Sequence, residues 1–471
     1  MLFSSPLFLF LFFPLATLCV LAAPRRARAW VLLGASFLFY WWGEPTFALL
    51  AIASALADYL IGMRVYAAMA SPQGGAGRRW LALGVTLNLG LLGVFKYFDF
   101  FIDNLNRLLA PAGGPPIAAL QIALPIGVSF IVFEKISYLV DISRGLARPA
   151  ARLRDYLLFV LFFPKLLAGP IVKYRDFAPQ LGAHNISVED VSAGFARFLL
   201  GLAKKVLIAD SLGHMADQVF GLHPGQLGFG YAWLGLACFT LQIFLDFSAY
   251  SDMAIGMARM FGFRLMENFN RPYLAQSFTD FWRRWHISLS TWIRDYLYLP
   301  LGGNRLGAAR TAVNLWICFL LSGLWHGAQW TFVLWGAYHG LMLSLDKLFW
   351  LKAGARLPRV LRTGITLFLL TLGWAIFRAS SLEQLQAFAG SLFDPARHGQ
   401  PLYVSNDVWF ALAAATMVSL APAALDQERL RNALHGARLR PLLSWAVAGA
   451  GLLAIGKTVT VVFHPFLYFR F

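Results

Sequence analysis

Apolar residues in this chain gather in long runs separated by short connections, a pattern of membrane helices and not of alternating strands. The first runs are Pro6 to Ala23, Trp30 to Gly43, Thr46 to Gly62, Leu81 to Phe95 and Ile117 to Val140. A helix needs about 20 residues to cross a hydrocarbon core of about 30 Å, so five spans are expected here. Arg25, Arg26 and Arg28 follow the first run, whereas Glu44-Pro45 after the second has no positive charge. Arg64, Arg78 and Arg79, beside Gly74-Gly75, follow the third. Asp99, Asp103 and a single Arg107 follow the fourth, and Arg144, Arg148, Arg152 and Arg154 the fifth. Arginine-rich connections belong on the cytoplasmic side, and the alternation predicts an N-terminus outside.

The opening resembles a secretory signal with its charge reversed. Met1 to Ser5 carries no Lys or Arg, and the arginines come after the apolar run. A cleaved signal has the opposite polarity, so a retained first span is expected. Further spans are predicted around 155–172, 190–210, 229–257, 312–345, 360–379, 405–424 and 442–463. The stretch Phe162 to Pro170 holds Pro164, Gly169 and Pro170 and is too broken for a simple span. Its freed backbone groups predict burial in protein or a re-entrant path. The expected fold class is an all-α integral membrane bundle, polytopic, with re-entrant and interfacial helices, forming one domain over residues 1–471.

Composition agrees with that reading. Hydrophobic residues make up 59% of the chain and charged ones 13%, where a soluble protein carries about a quarter charged. Cys19, Cys238 and Cys318 all lie in apolar stretches, which suggests neither a disulfide framework nor a thiolate metal site. The net charge of +17 reads as loops facing anionic lipid, worth about 1 kcal/mol per Lys or Arg near the surface, and not as a nucleic-acid signal. Part of the excess could serve an anionic partner on the cytoplasmic side, such as a phosphorylated acyl donor.

Residues 246–305 form a polar island in this apolar background. Asp246 and Asp252 interrupt a span, and intramembrane carboxylates are expensive. Six residues apart, they are about 240° apart around a helix. A shared two-carboxylate site would require a broken helix; otherwise they are separate structural anchors. Ser277 with Asp280 three residues on marks a helix start. Phe281, Trp285, Leu289, Trp292 and Tyr296 then recur at spacings of four and three, predicting one amphipathic helix at an interface or cavity, ended by Pro300 and Gly302-Gly303-Asn304. His286 lies on it, as either an interfacial structural residue or a polar contact for an arriving donor, helped by Arg283 and Arg284. His326 lies well inside the run Leu315 to Leu345, between Gly323 and Gly327, which permit close backbone approach or local unwinding. An intramembrane ionisable group is a functional-site candidate by default, and an imidazole can take and return a proton near neutral pH. The alternative is a buried histidine satisfied by a backbone carbonyl. His339, thirteen residues on, is the weaker candidate, roughly 220° around the helix.

The segments Asp246-Phe247-Ser248 through Asp252-Met253-Ala254, Phe281 through Ser290, and Trp325-His326-Gly327-Ala328 resemble the membrane-bound O-acyltransferase (MBOAT) family, in its alginate O-acetyltransferase branch. Met1 to Ser5, Ala168 to Ile171 and Phe466 to Phe471 look like that branch too; Ala249 departs from it, where glycine is usual. The resemblance implies a bundle around a central tunnel. A cytoplasmic acyl donor, acetyl-coenzyme A or another acyl thioester, would deliver its group there for an acceptor on the periplasmic side of a bacterial inner membrane. It implies catalytic roles for His326 and His286, a periplasmic acetyltransferase partner, no metal and no bound cofactor. Candidates for donor binding or tunnel lining are Asp246, Asp252, Asn268, Arg283, Arg284, Trp285 and Trp325. Alginate or another exopolysaccharide is the first acceptor reading, with cellulose, peptidoglycan and D-alanyl transfer to teichoic acid as alternatives. A secondary transporter would show two related halves with matching broken helices, and one polar island counts against that. A structural subunit of an export complex would leave His326 unexplained.

Overall fold

The computed structural model describes residues 1–69, 75–113, 115–182, 185–420, 440–460 and 465–467. Among these the chain is helical, with no strand. Gly74, the predicted span ends at 421–424 and 461–463, and the closing Tyr468–Phe471 lie outside the described residues. Among the described residues five helices are long and apolar enough to cross a membrane: Pro45–Met69, Gly75–Leu109, Phe229–Met260, Gly307–His326 and Arg359–Arg378. The chain is a multi-pass membrane protein of all-α class. It divides into two compact units, Met1–Gly194 with Ala254–Met266, and Phe195–Met253 with Glu267–Phe471.

In the first unit small residues let helices approach. Helix Pro45–Met69 buries Ala48, Ala51, Ala55, Asp58, Gly62 and Val65 along one stripe and exposes Leu49, Leu56, Leu60 and Met63. Without water to drive association, membrane helices pack through such small faces and through polar contacts. A Cβ on Gly62 would lie 2.4 Å from the Tyr138 ring, and one on Gly84 would lie 2.5 Å from Leu139. The polar contact is buried: Lys135 Nζ lies 3.0 Å from Asp58 Oδ2, and Asn88 Nδ2 donates to both Asp58 oxygens. Glu134 pairs with Lys165 in the same interior. Residues 158–174, including the broken stretch Phe162 to Pro170, are buried throughout, as its prolines require.

Two expectations fail in this unit. The run Leu81 to Phe95 does not end in a loop at Asp99; the helical path continues from Gly75 to Leu109. Asp99, Asp103 and Arg107, four apart, share one polar face of it. The next helix begins at Val128, not Ile117, and is the buried Val128–Ser143, which is not one of the five spanning helices. Pro115, Pro116 and Pro125 keep 115–125 non-helical. Side chains of the preceding helix take up its backbone instead: Asp99 accepts from the Leu120 and Gln121 N–H groups at 2.8 and 3.0 Å, and Asn106 clasps Ile117 on both sides.

The second unit corrects two further readings. The run 312–345 is two antiparallel neighbours, Gly307–His326 and Trp330–Leu345, and His326 is the last residue of the first. The pair packs through glycines. A Cβ on Gly323 would meet Phe332 O at 2.2 Å, one on Gly327 the Phe332 ring at 2.1 Å, and one on Gly336 Phe319 O at 2.4 Å. The predicted single helix after Ser277 is three pieces: Phe278–Trp282, Ile287–Ile293 and a wide-turned segment Arg294–Tyr298. Ser277 caps the first piece, its Oγ accepting from Asp280 N–H at 3.1 Å. The break falls at His286, which adopts φ +43°, because the segment 268–270 captures the backbone there. Asn270 N–H donates to Arg284 O at 2.8 Å and Ile287 N–H to Asn268 O at 2.9 Å. Phe281, Trp285, Leu289 and Trp292 are nonetheless all buried.

Candidate active site

Ending a helix at His326 puts an imidazole at the mouth of the 327–329 turn, where aromatic side chains converge on it. Its ring centroid lies 5.0 Å from Trp325, 5.1 Å from Trp335 and 5.3 Å from Phe377, all edge-on. His326 lines a cavity of about 30 Å³ with Ile243, Asp246, Phe247, Trp285, Trp335, Trp374, Phe377 and Leu467. That is room for about two water-sized groups. Helix Phe229–Met260 supplies three of these side chains and helix Arg359–Arg378 two.

His286 lies beside this pocket without lining it. Its ring is 4.7 Å from Phe247 and 6.2 Å from Trp325. The residue is 1% exposed and is built around Asn268. Asn268 Oδ1 accepts from Ser288 N–H at 3.2 Å and Ser288 Oγ at 2.9 Å, and stands 3.1 Å from His286 Nδ1; its Nδ2 donates to Ser251 Oγ at 3.1 Å. A backbone N–H can only donate, so the atom facing Ser288 N is the amide oxygen. An oxygen can only accept, so Nδ1 of His286 carries the proton. Nε2 is thereby an unprotonated lone pair, buried and without a hydrogen-bond partner. His286 stands outside the five apolar spans, and burial pushes its pKa down to about 3.

The two carboxylates do not meet. Helix Phe229–Met260 passes through both unbroken. Asp246 faces Lys205 Nζ at 2.6 Å and accepts from the backbone N–H of Leu467 at 2.7 Å. Asp252 pairs instead with Arg197 at 2.8 Å and with Lys204. Arg284 is held by Asp280 at 2.7 Å. Arg283 is exposed and lines a different, larger cavity of about 290 Å³ with Arg294, Lys347, Tyr298, Cys318, Phe319, Ser322 and others. Among the described residues that cavity carries three cations at its wall and no carboxylate. Two tryptophans in contact link its wall to that of the His326 pocket: Trp282 lines the larger space, Trp335 the smaller, with ring centroids 5.8 Å apart. Trp282 Nε1 donates to His339 Nδ1 at 3.2 Å, which gives His339 a part in fixing that wall.

The structure thus gathers His326, Trp285 and Asp246 at one pocket, sets Trp325, His286 and Asn268 next to it, and leaves Asp252 and Arg284 in ion pairs of their own. Trp335, Trp374, Phe377, Leu467 and Lys205 escaped the sequence reading. Lys205 carried a usable signal, being a cation inside a predicted span and the natural partner of an intramembrane aspartate.

A multi-pass helical protein with two buried imidazoles around an aromatic pocket, one held as a lone-pair base, has the parts of a membrane-embedded group-transfer enzyme. The comparisons give the class its name. Residues 132–376 match the model of MBOAT, the membrane-bound O-acyltransferase family, and the chain belongs to that family. It is an acyltransferase. Over 393 residues it is 46% identical to the "Probable alginate O-acetylase" of Azotobacter vinelandii, covering 83% of this chain and 78% of that protein. It is 37% identical over 421 residues to the peptidoglycan O-acetyltransferase of Helicobacter pylori, covering 81% and 78%. The teichoic acid D-alanyltransferase of Bacillus subtilis is 27% identical over 279 residues, covering 54% and 67%.

Proposed function

We propose that this chain moves an acetyl group from a cytoplasmic thioester donor, acetyl-coenzyme A or a relative, to a polysaccharide hydroxyl beyond a bacterial inner membrane, with its N-terminus periplasmic. The observation that carries the reading is His326, a buried imidazole at a helix end beside a pocket of acetyl size. As general base it accepts the proton of the attacking hydroxyl while the oxygen bonds to the thioester carbonyl carbon. Collapse of the tetrahedral adduct breaks the carbon–sulfur bond, and the imidazolium returns its proton to the departing thiolate. General-base help of this kind is worth about 10²–10⁴ in rate. The cationic cavity at Arg283, Arg294 and Lys347 suits the phosphates of the donor, and Arg283 and Arg294 are its cations from the polar island. Asn268 and Trp285 hold the pocket's flank, and Trp325 separates the two imidazoles.

Identity of 43–46% with alginate O-acetylases over about four fifths of the chain favours alginate, or a similar exopolysaccharide, as acceptor. A periplasmic acetyltransferase partner would complete delivery, and anionic lipids would contact the basic loops. The Helicobacter relative, matched over a similar share of the chain, supports peptidoglycan as the second reading. The test is polymer acetylation in cells expressing His326→Ala at normal level. Lost acetylation with intact polymer export is expected; full acetylation would overturn the catalytic reading. Export lost along with acetylation would return the chain to the transporter or scaffold class.

A further inference from the structure

The pocket beside His326 has a wall that none of the long helices supplies. Of its two aliphatic lining residues, Ile243 belongs to helix Phe229–Met260, whereas Leu467 comes from the short segment 465–467, outside the long helices. Leu467 is 4% exposed, and the segment that carries it is fastened with unusual care. Its backbone N–H donates to Asp246 Oδ2 at 2.7 Å. Asp246 Oδ1 lies 2.6 Å from Lys205 Nζ, which also reaches Asp210 at 2.7 Å and the Pro465 carbonyl at 3.4 Å. The Phe466 ring covers the Lys205 ammonium at 4.5 Å and meets the Tyr250 ring edge-on at 4.8 Å. A buried ion pair is weak evidence for stability. Here it does something geometric: it fixes where one leucine stands.

We propose that Leu467, positioned by the Lys205–Asp246 pair, is the residue that limits the transferred acyl group to acetyl size. This rests on the reading of His326 given above. A cavity of about 30 Å³ takes a methyl and a carbonyl oxygen, and besides Leu467 its walls are His326, Ile243 and Asp246, the last two fixed on helix Phe229–Met260, and the aromatic rings of Phe247, Trp285, Trp335, Trp374 and Phe377. Those rings are packed on one another, with Trp285 and Trp374 centroids 4.9 Å apart and Trp374 and Phe377 5.7 Å apart. A longer acyl chain must therefore displace the leucine. One methylene in an apolar pocket discriminates by about 10–200-fold.

The full chain in native membranes, supplied with acetyl-, propionyl- and butyryl-coenzyme A, tests this. Leu467→Ala is expected to raise the propionyl-to-acetyl transfer ratio about 10-fold or more, and Leu467→Val, a milder change that guards against a folding defect, to raise it less. Asp246→Asn, which keeps an acceptor for the Leu467 N–H, is expected to relax selectivity less than Asp246→Leu. Acetyl transfer with unchanged ratios in both Leu467 variants overturns the proposal while leaving the function standing. Absence of acetyl transfer by the unaltered chain overturns both.

Discussion

Removing the Asn268 side chain tests the deduced state of His286 and the architecture around it together. In Asn268→Ala the Ser288 N–H, which can only donate, and the His286 Nδ1–H lose their shared acceptor in a site without solvent. Each buried donor left unsatisfied costs about 1–3 kcal/mol, so the variant should be about 2–6 kcal/mol less stable. Ser288 Oγ adds little, because a hydroxyl can rotate to another partner. Thermal unfolding in detergent, followed by tryptophan fluorescence, reads the loss. Asn268→Asp separates stability from chemistry. It keeps an oxygen for both donors and adds a negative charge 3.1 Å from the ring, which favours the imidazolium. The sign follows directly. Burial holds the native His286 neutral down to about pH 3; the aspartate raises that pKa, so the acid limb of the transfer rate moves to higher pH. An unchanged melting temperature in Asn268→Ala would refute the network. A well-folded Asn268→Asp with an unmoved pH profile would refute any part for the His286 lone pair in transfer.

Two other substitutions probe the framework. Gly327→Ala puts a methyl 2.1 Å from the Phe332 ring and should open the turn that seats His326; overpacking of this kind costs about 1–3 kcal/mol, and the transfer rate should fall more than the yield of folded protein. Lys205→Met alone leaves Asp246 buried without its cation and should cost about 3–5 kcal/mol. The double change Lys205→Met with Asp246→Leu should recover much of that loss in melting temperature, because the fully buried carboxylate is gone and Asp210, the other partner of Lys205, is partly exposed. A double variant no more stable than the single would show that the pair contributes more than its mutual neutralisation.

What could be read from the sequence divides along physical lines. Apolar runs gave helix positions where length and hydropathy decide locally, as for Pro45–Met69 and Arg359–Arg378, and for Phe229–Met260 despite its two aspartates. The readings failed where backbone groups found partners far along the chain. Nothing near Ile117 announces that Asp99 and Asn106 will take its neighbours' hydrogen bonds. The stripe from Phe281 to Tyr296 has helical spacing, yet Asn268 and Asn270 draw the backbone at Arg284 and Ile287 out of the helix. Spacing records which side chains are buried, and Phe281, Trp285, Leu289 and Trp292 are buried; it does not record which carbonyl meets which amide.

The candidate site shows the same division in sharper form. His326 stood out because a titratable group in an apolar run is costly there, and its two glycines signalled that a backbone would come close. Both signals are local. Their meaning was not, for the glycines make room for Phe332 of the returning helix, and that contact turns an apparent mid-span histidine into the last residue of a helix. The pocket needs that ending. A histidine in the middle of an intact helix would present its ring to one neighbour, with backbone sealed above and below. At a helix end it can be approached from the side of the turn, where Trp335, Phe377 and Leu467 now stand. The position of the chemistry was therefore legible in the residue, and its accessibility only in the fold.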